Sequence, residues 1–333
     1  MSDDKAAVDT SCENEAAVVD TTSCCASCGI AEVDDIKLKE CTSCDLVRYC
    51  SDACRREHRP QHEEACKKRV AELRDELLFK QPESSHLGDC PICCLPLPLD
   101  VQKSGMTACC SKLVCKGCTY ANQKREYEGR LGYKCPFCRK ALPKTYEGSN
   151  KNRMKRVEAN DPVAMNREGL NQYDKGDYSK AFEYFTKEGN YSSAFEYFTK
   201  ASELGDAEAH YNLSCMYHDG HGVEKDRGKE RHHLEEAAIG GHPRARNNLG
   251  CDEEESGNIK RAVKHFIIAA NQGQDESIKN VMECFKEGCV SKDDLAATLR
   301  AHQAAVDATK SPQREAAEAY DRVQKERGAH TED

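Results

Sequence analysis

Cysteine is the residue whose number and spacing here can do chemistry. The chain has 22 cysteines in 333 residues, and only Cys215, Cys251, Cys284 and Cys289 lie beyond residue 138. The first cluster reads "CASCGIAEVDDIKLKECTSCDLVRYCSDACRREHRPQHEEAC" and offers Cys25-x2-Cys28, Cys41-x2-Cys44, Cys50-x3-Cys54 and His62-x3-Cys66. A gap of two residues suits a tight turn with both thiolates facing one ion, and a gap of three places two ligands one helical turn apart. Eight donors make two closed four-ligand sites with no position left for a substrate. Closed sites are structural, because the metal supplies folding free energy that so small a core lacks. Cys24 and His58 are neighbouring candidates. The two-residue spacing favours Cys25, and only His62 has a cysteine four residues on.

The second cluster runs from "CPICCLPLPLD" to "KCPFCRK" and pairs Cys90 with Cys93, Cys115 with Cys118 and Cys135 with Cys138. No histidine stands between Cys93 and Cys135, but Cys109 and Cys110 are adjacent. If both are ligands, Cys90, Cys93, Cys109, Cys110, Cys115, Cys118, Cys135 and Cys138 make a second set of eight. The alternative leaves a defective site with Lys112 where a histidine is expected, and a protonated lysine has no lone pair to give. Cys94 is left over and is expected to be buried.

The first cluster, with its "YCS" at Tyr49–Ser51 and its Pro60-x-His62-x3-Cys66 ending, resembles the MYND zinc finger. The resemblance implies that one zinc takes Cys25, Cys28, Cys50 and Cys54, and the other Cys41, Cys44, His62 and Cys66. It implies a protein-interaction module, often for proline-containing peptides; Arg59 stands where the family usually has tryptophan. The second cluster resembles a RING finger in an all-cysteine variant, with Cys135 and Cys138 completing the site of Cys109 and Cys110. A RING recruits a ubiquitin-charged conjugating enzyme (E2) and forms no covalent intermediate. Position by position, the resemblance gives Ile92 and Pro136 to the E2 contact and Arg139 to the bridge between E2 and ubiquitin.

These fingers need elements to hold them. Between them, Val70, Leu73, Leu77 and Leu78 recur at helical spacing, which predicts a short amphipathic helix ended near Pro82. After residue 139 comes a basic stretch, "KALPKTYEGSNKNRMKR", read as a solvated linker. Beyond residue 161 the chain reads as helical and repetitive. "GDAEAHYNLS" at Gly205, "GHPRARNNLG" at Gly241 and "GQDES" at Gly273 recur at offsets of 36 and 32 residues. The heptapeptide AFEYFTK occurs at 181–187 and again at 194–200, a local duplication inside the first unit. On one continuous helix that offset turns a side chain by about 140°, so both copies cannot share a core stripe. One copy serves as the second helix of a hairpin; the sequence leaves open which. The repeats resemble Sel1-like repeats, relatives of the tetratricopeptide family, which stack into a solenoid. Ser291 is expected to cap a helix and "SPQREAAEAY" to begin another, both closing the array. Histidines 218, 221, 232, 233, 242 and 265 lack ligand spacing and are read as solvated surface.

Hydrophobic residues make up 38%, charged residues 32% and the net charge is −9. An acidic balance argues against a general nucleic-acid grip, and no apolar run is long enough for a membrane span. The N-terminus has no apolar core of a signal peptide, so a cytoplasmic or nuclear location is expected. No phosphate-binding glycine loop or open metal site appears. The expectation is a mostly α chain with two small zinc-stabilised modules on the N-terminal side, then an α-helical hairpin solenoid. In order come a disordered acidic N-terminus (1–23), a MYND-type finger (24–66), a short helix and linker (67–89) and a RING-type finger (90–139). A basic linker (140–160), repeats (161–275) and capping helices with a tail (276–333) follow. Four Zn²⁺ are expected, two per finger. The function expected is a RING-type ubiquitin ligase binding an E2 and protein substrates or peptides, or else a non-catalytic scaffold.

Overall fold

Most helices here begin at a side chain that accepts a free amide, as at Ser51, Asp206 and Ser291, and those of the repeats end at glycines that turn left. The computed structural model describes residues 24–33, 35–177 and 187–329, which hold twelve helices and four short strands. They form two compact units, residues 1–80 and 81–333. Among the described residues no helix is long and apolar enough to cross a membrane.

In the first unit β1 (Lys39–Glu40) pairs antiparallel with β2 (Arg48–Tyr49), and α1 (Asp52–Leu78) follows. Ser51 Oγ accepts the Cys54 amide at 3.3 Å, a side-chain cap at the helix start. Sequence spacing suggested a finger followed by a separate short helix. Instead α1 is one 27-residue helix that runs through Pro60, at the cost of one backbone hydrogen bond. Nor do its four apolar residues make one buried stripe: Leu78 is buried, while Val70 and Leu77 are exposed. The core of this unit is Cys25, Cys41, Cys44 and Tyr49.

The second unit opens with β3 (Ser104–Met106) antiparallel to β4 (Leu113–Cys115), then α2 (Lys116–Glu128). The basic stretch read as a solvated linker is helix α3 (Tyr146–Glu158), whose Arg153 is buried against Glu168 at 2.9 Å. Paired cations and carboxylates can be buried where isolated ones cannot. The hairpins are α4 (Pro162–Asp177) with α5 (Lys187–Glu203), α6 (Ala207–Asp219) with α7 (Arg227–Ile239), and α8 (Pro243–Glu255) with α9 (Ile259–Asn271). Each stacks on the next, and α10 (Asp275–Lys286) and α11 (Lys292–Ala308) pack on α9. Ser291 does cap α11, accepting the Asp294 amide at 3.1 Å. Helix α12 (Pro312–Ala329) forms as expected but does not close the array: it packs along α2.

The glycines that marked the repeats, Gly205, Gly241 and Gly273, sit at φ of +83°, +82° and +86°. Each follows a helix with the left-handed turn that other residues adopt at a cost. The duplication is resolved as well. Its second copy lies in α5 and puts Ala194 and Phe198 in the core; the first copy, up to residue 186, lies outside the described residues. A Cβ on Gly169 would meet the Phe198 ring at 2.5 Å, and one on Gly250 would meet Phe266 at 2.4 Å. The first and third hairpins therefore use the same device, a ring laid on a glycine. Phe198 and Ala194 occupy in the first hairpin the roles of Phe266 and Ala262 in the third.

Candidate metal centres

Four groups of donors converge. Cys25, Cys28, Cys50 and Cys54 form one, Cys41, Cys44, His62 and Cys66 the next. In the second cluster they are Cys90, Cys93, Cys115 and Cys118, then Cys109, Cys110, Cys135 and Cys138. Within each group the donor atoms lie within 4.8 Å of one another. In both fingers the first pair of ligands joins the third and the second joins the fourth, an interleaved pattern that ties four chain segments together. Adjacent Cys109 and Cys110 enter one group, and Lys112 is exposed.

Local backbone explains the convergence. After each two-residue knuckle the next residue turns left: Gly29, Asp45, Cys94 and Arg139 have φ of 74°, 56°, 54° and 61°. Each returns its amide to the carbonyl of the first cysteine, as Cys94 does to Cys90 at 2.8 Å. Cys94, expected to be buried, is the exposed left-handed residue of such a turn. The adjacent pair fits the same frame with Thr107 in the first position. Ser111 turns left at φ 54°, its amide bonds the Thr107 carbonyl at 2.8 Å, and Thr107 Oγ1 lies 3.0 Å from Cys110 Sγ. That frame, Thr107-x2-Cys110, was present in the sequence and was hidden by attention to cysteines alone. The remaining ligands stand on helix starts and faces. His62 and Cys66 are one turn apart on α1, while Cys115 caps α2, its sulfur accepting the Cys118 amide at 3.4 Å.

Distances and charge test the donors for a metal. Sulfur atoms bound to one tetrahedral zinc stand about 3.8 Å apart, since each Zn–S bond is about 2.3 Å. Sulfur pairs stand at that spacing: Cys28–Cys50 at 3.5 Å, Cys50–Cys54 at 3.6 Å, Cys41–Cys66 at 3.9 Å and Cys93–Cys115 at 3.8 Å. Cys109–Cys138 and Cys110–Cys135 are 3.3 and 4.0 Å apart, far beyond a disulfide bond. Cys44 Sγ is 3.2 Å from His62 Nε2. Against their burial, backbone amides hold the Cys25 and Cys41 thiols down at about 6. Contact with the Cys28 and then the Cys54 thiol pushes Cys50 up to about 12. Burial, then the Cys44 and Cys41 thiols, pushes Cys66 to about 12. Four like charges cannot share so small a volume unless a cation joins them, and a divalent metal is that cation. The donors fit zinc.

His58, the second histidine near the first finger's end, has a different task. Its Nδ1 meets the buried Tyr49 hydroxyl at 3.1 Å, and its ring stacks on that of His62 with centroids 5.9 Å apart. Of the residues assigned to E2 contact, Ile92 is 40% exposed and Pro136 half-buried. Arg139 is engaged within the finger. It donates to Asn122 Oδ1 at 2.6 Å and to the fully buried Glu126 at 3.1 Å, whose other oxygen accepts the Lys134 amide at 3.0 Å.

One polar cluster escaped the sequence reading, which had taken the repeat histidines as solvated. His242 and His265 are buried. His86, Glu208 and His242 meet, with Nε2 to carboxylate distances of 2.8 Å for His86 and 3.3 Å for His242. His242 Nδ1 accepts the Ala245 amide at 3.1 Å and so caps α8, which fixes its ring proton on Nε2, donated to Glu208. A metal at Nε2 would move that proton against the Ala245 N–H, so this is a hydrogen-bonded latch between residues 81–89 and the solenoid. Burial and then the neighbouring His86 push His242 down to about 4. Despite its own burial, the bonds from His242 and His86 hold Glu208 well below the usual carboxylate range.

A MYND finger family model matches residues 25–66. A Sel1 repeat model matches residues 164–187, 188–206, 207–242 and 243–274. No RING family match covers the second cluster, and no curated protein matches the chain. Among solved structures, a Sel1 repeat protein from Oxalobacter formigenes is similar at 23% identity and a TM-score of 0.39, over 59% of this chain and 75% of that one. The protective antigen c5321 of uropathogenic Escherichia coli, with an SLR fold, is similar at 21% identity and a TM-score of 0.35. That match covers 62% of this chain and 40% of the antigen's.

Proposed function

We propose that this chain is a zinc-stabilised protein-interaction protein with four structural zincs, whose second finger acts as a RING-type ubiquitin ligase. One observation carries the reading. The eight donors of the second finger pair in the interleaved order, and the turn between Cys90 and Cys93 leaves Ile92 exposed for a partner. All four donors of each set are used, so the metals hold surfaces in place and carry no reaction. In this reading Ile92 and Pro136 receive the conjugating enzyme, and the solenoid or the first finger holds the substrate protein. Stacked helical hairpins suit that task, since they offer an extended surface whose side chains are free to vary.

The second reading is a scaffold that binds proteins and transfers nothing. Arg139 favours it, because the guanidinium expected to bridge E2 and ubiquitin is already spent on Glu126 and Asn122. The experiment is ubiquitin-chain formation by the full chain against a panel of conjugating enzymes, with zinc counted by native mass spectrometry. Chains that vanish in Ile92→Ala while four zincs remain support the ligase. No chains from a protein carrying four zincs supports the scaffold.

A further inference from the structure

The final helix does more than lie against the second finger. Arg314, in the first turn of α12, is 6% exposed and reaches into the finger 221 residues away in sequence. One terminal nitrogen donates to the Pro96 carbonyl at 2.7 Å and to the Thr309 carbonyl at 2.7 Å. The other donates to the Leu95 carbonyl at 3.2 Å and to Cys93 Sγ at 3.4 Å. Helix α12 comes so close that a Cβ on Gly117 would stand 2.8 Å from the Arg314 amide nitrogen. Tyr120 packs on Tyr320 with ring centroids 5.1 Å apart, and Lys116 pairs with Asp321.

A buried guanidinium needs an anion. Among the described residues, the partners of Arg314 are carbonyls and a cysteine sulfur, with no carboxylate among them. The anion within reach is the thiolate set itself. Zinc with four thiolates carries a net charge of about −2. A charge-assisted N–H···S bond to Cys93 spreads part of that charge and favours the ionised, metal-binding sulfur. The same planar fork ties down the two carbonyls that follow the Cys90–Cys93 turn with its two terminal nitrogens, a fixed geometry that lysine cannot make. The neighbouring set differs: its recorded side-chain partner from outside the ligands is the Thr107 hydroxyl.

We propose that Arg314 is a positioning residue for the Cys90, Cys93, Cys115 and Cys118 zinc site, supplied from the far end of the chain, so that zinc retention there depends on the first turn of α12. The inference rests on the zinc reading above. It also means that the finger cut out alone lacks part of its first site.

Pulsed alkylation of the full-length chain, read peptide by peptide with exposed Cys94 as the free-thiol reference, tests it. Arg314→Met keeps the stem and loses the donors, Arg314→Lys keeps the charge and loses the fork, and Tyr320→Ala removes a ring contact of α12 about two turns away and leaves the guanidinium in place. In Arg314→Met the four cysteines of this site should label about tenfold faster, the usual cost of losing an outer-sphere partner. Arg314→Lys should fall between, while Tyr320→Ala and the other three sites stay near wild type. With cobalt in place of zinc, the thiolate-to-metal charge-transfer band should shift in Arg314→Met and not in Tyr320→Ala. Labelling in Arg314→Met equal to wild type overturns the proposal, as does an equal acceleration in Tyr320→Ala. If this site in the wild type carries no zinc and labels as fast as Cys94, the zinc reading itself is wrong and the inference falls with it.

Discussion

The fingers and the solenoid bury different things. In the first finger the core residues are ligands: Cys25, Cys41 and Cys44 surround a single tyrosine, Tyr49. In the second, Leu97 and Val114 join Cys90, Cys115 and Cys118. The solenoid core is Ala194, Phe198, Leu213 and Met216 in one place and Ala262, Phe266 and Val281 in another. Backbone follows the same division. From residue 162 to 329, every described residue with positive φ is glycine, whereas Asp45, Cys94, Ser111 and Arg139 take left-handed turns in the fingers. Such turns cost roughly 1–2 kcal/mol each for residues with a Cβ. A packed helix cannot absorb many of them, but a metal cluster held by four bonds can.

The largest test of this contrast is metal removal. Structural zinc contributes about 10–16 kcal/mol of apparent binding free energy in small fingers. A strong chelator should therefore abolish hydrogen-exchange protection at residues 41–66 while residues 194–308 keep theirs. The second finger should lose protection more slowly, because Leu97, Val114 and the contact with α12 remain. Equal loss across the chain would show that the solenoid, too, leans on metal. Within the second finger, Cys110→Ser should reduce the native mass by one zinc and leave three. A loss of none would return the second site to the defective alternative.

Smaller, and confined to the other region, is the effect of the ring-on-glycine device. Phe198→Ala and Phe266→Ala should each destabilise the solenoid by about 3–5 kcal/mol, read from urea midpoints, with zinc content unchanged. A similar cost at both positions is expected because Gly169 and Gly250 hold the two rings in the same way. If Phe198→Ala is mild, the second copy of the duplicated heptapeptide is not the one that the first hairpin depends on.

What the sequence made legible follows the same line. Ligand spacing is short-range and rigid, so the first finger's donor set could be written down before any fold was known. Repeat glycines were legible for the same reason: a left-handed helix end admits few residues. The continuity of α1 was obscured because His62 and Cys66 were read as a finger's ending, whereas both stand on a helix that runs on to Leu78. Arg314 was invisible, because nothing near residue 314 in sequence hints at a cysteine more than two hundred residues earlier. The buried histidines misled for a related cause. Their partners, such as Glu208 for His242, come from other helices, and only packing brings them together.

The smallest effect is one of pH, and its sign separates the latch from simple burial. His242 is held at about 4, below its ordinary 6.5. Its contribution to stability is therefore full above 6.5 and lost as pH falls toward 4. Asp206, which caps α6, is pushed up to about 6 by its burial, from 3.8. Its sign is opposite: it favours the fold when protonated, and that benefit is lost as pH rises from 3.8 through 6. Glu208 adds only below the usual carboxylate range, since its shift is downward. Burial likewise pushes His233 down to about 4 and His265 to about 3, so between pH 7 and pH 5 three histidine losses of about 1–2 kcal/mol each outweigh one Asp206 gain of similar size. Exchange protection across residues 207–271 should therefore fall from pH 7 to pH 5 in the wild type. In His242→Asn, which can still cap α8, one of these losses is removed, and the fall should be about 1–2 kcal/mol smaller. A steeper fall in the variant than in the wild type would mean that His242 is protonated in the fold and that the latch is an ion pair, with the opposite response to acid.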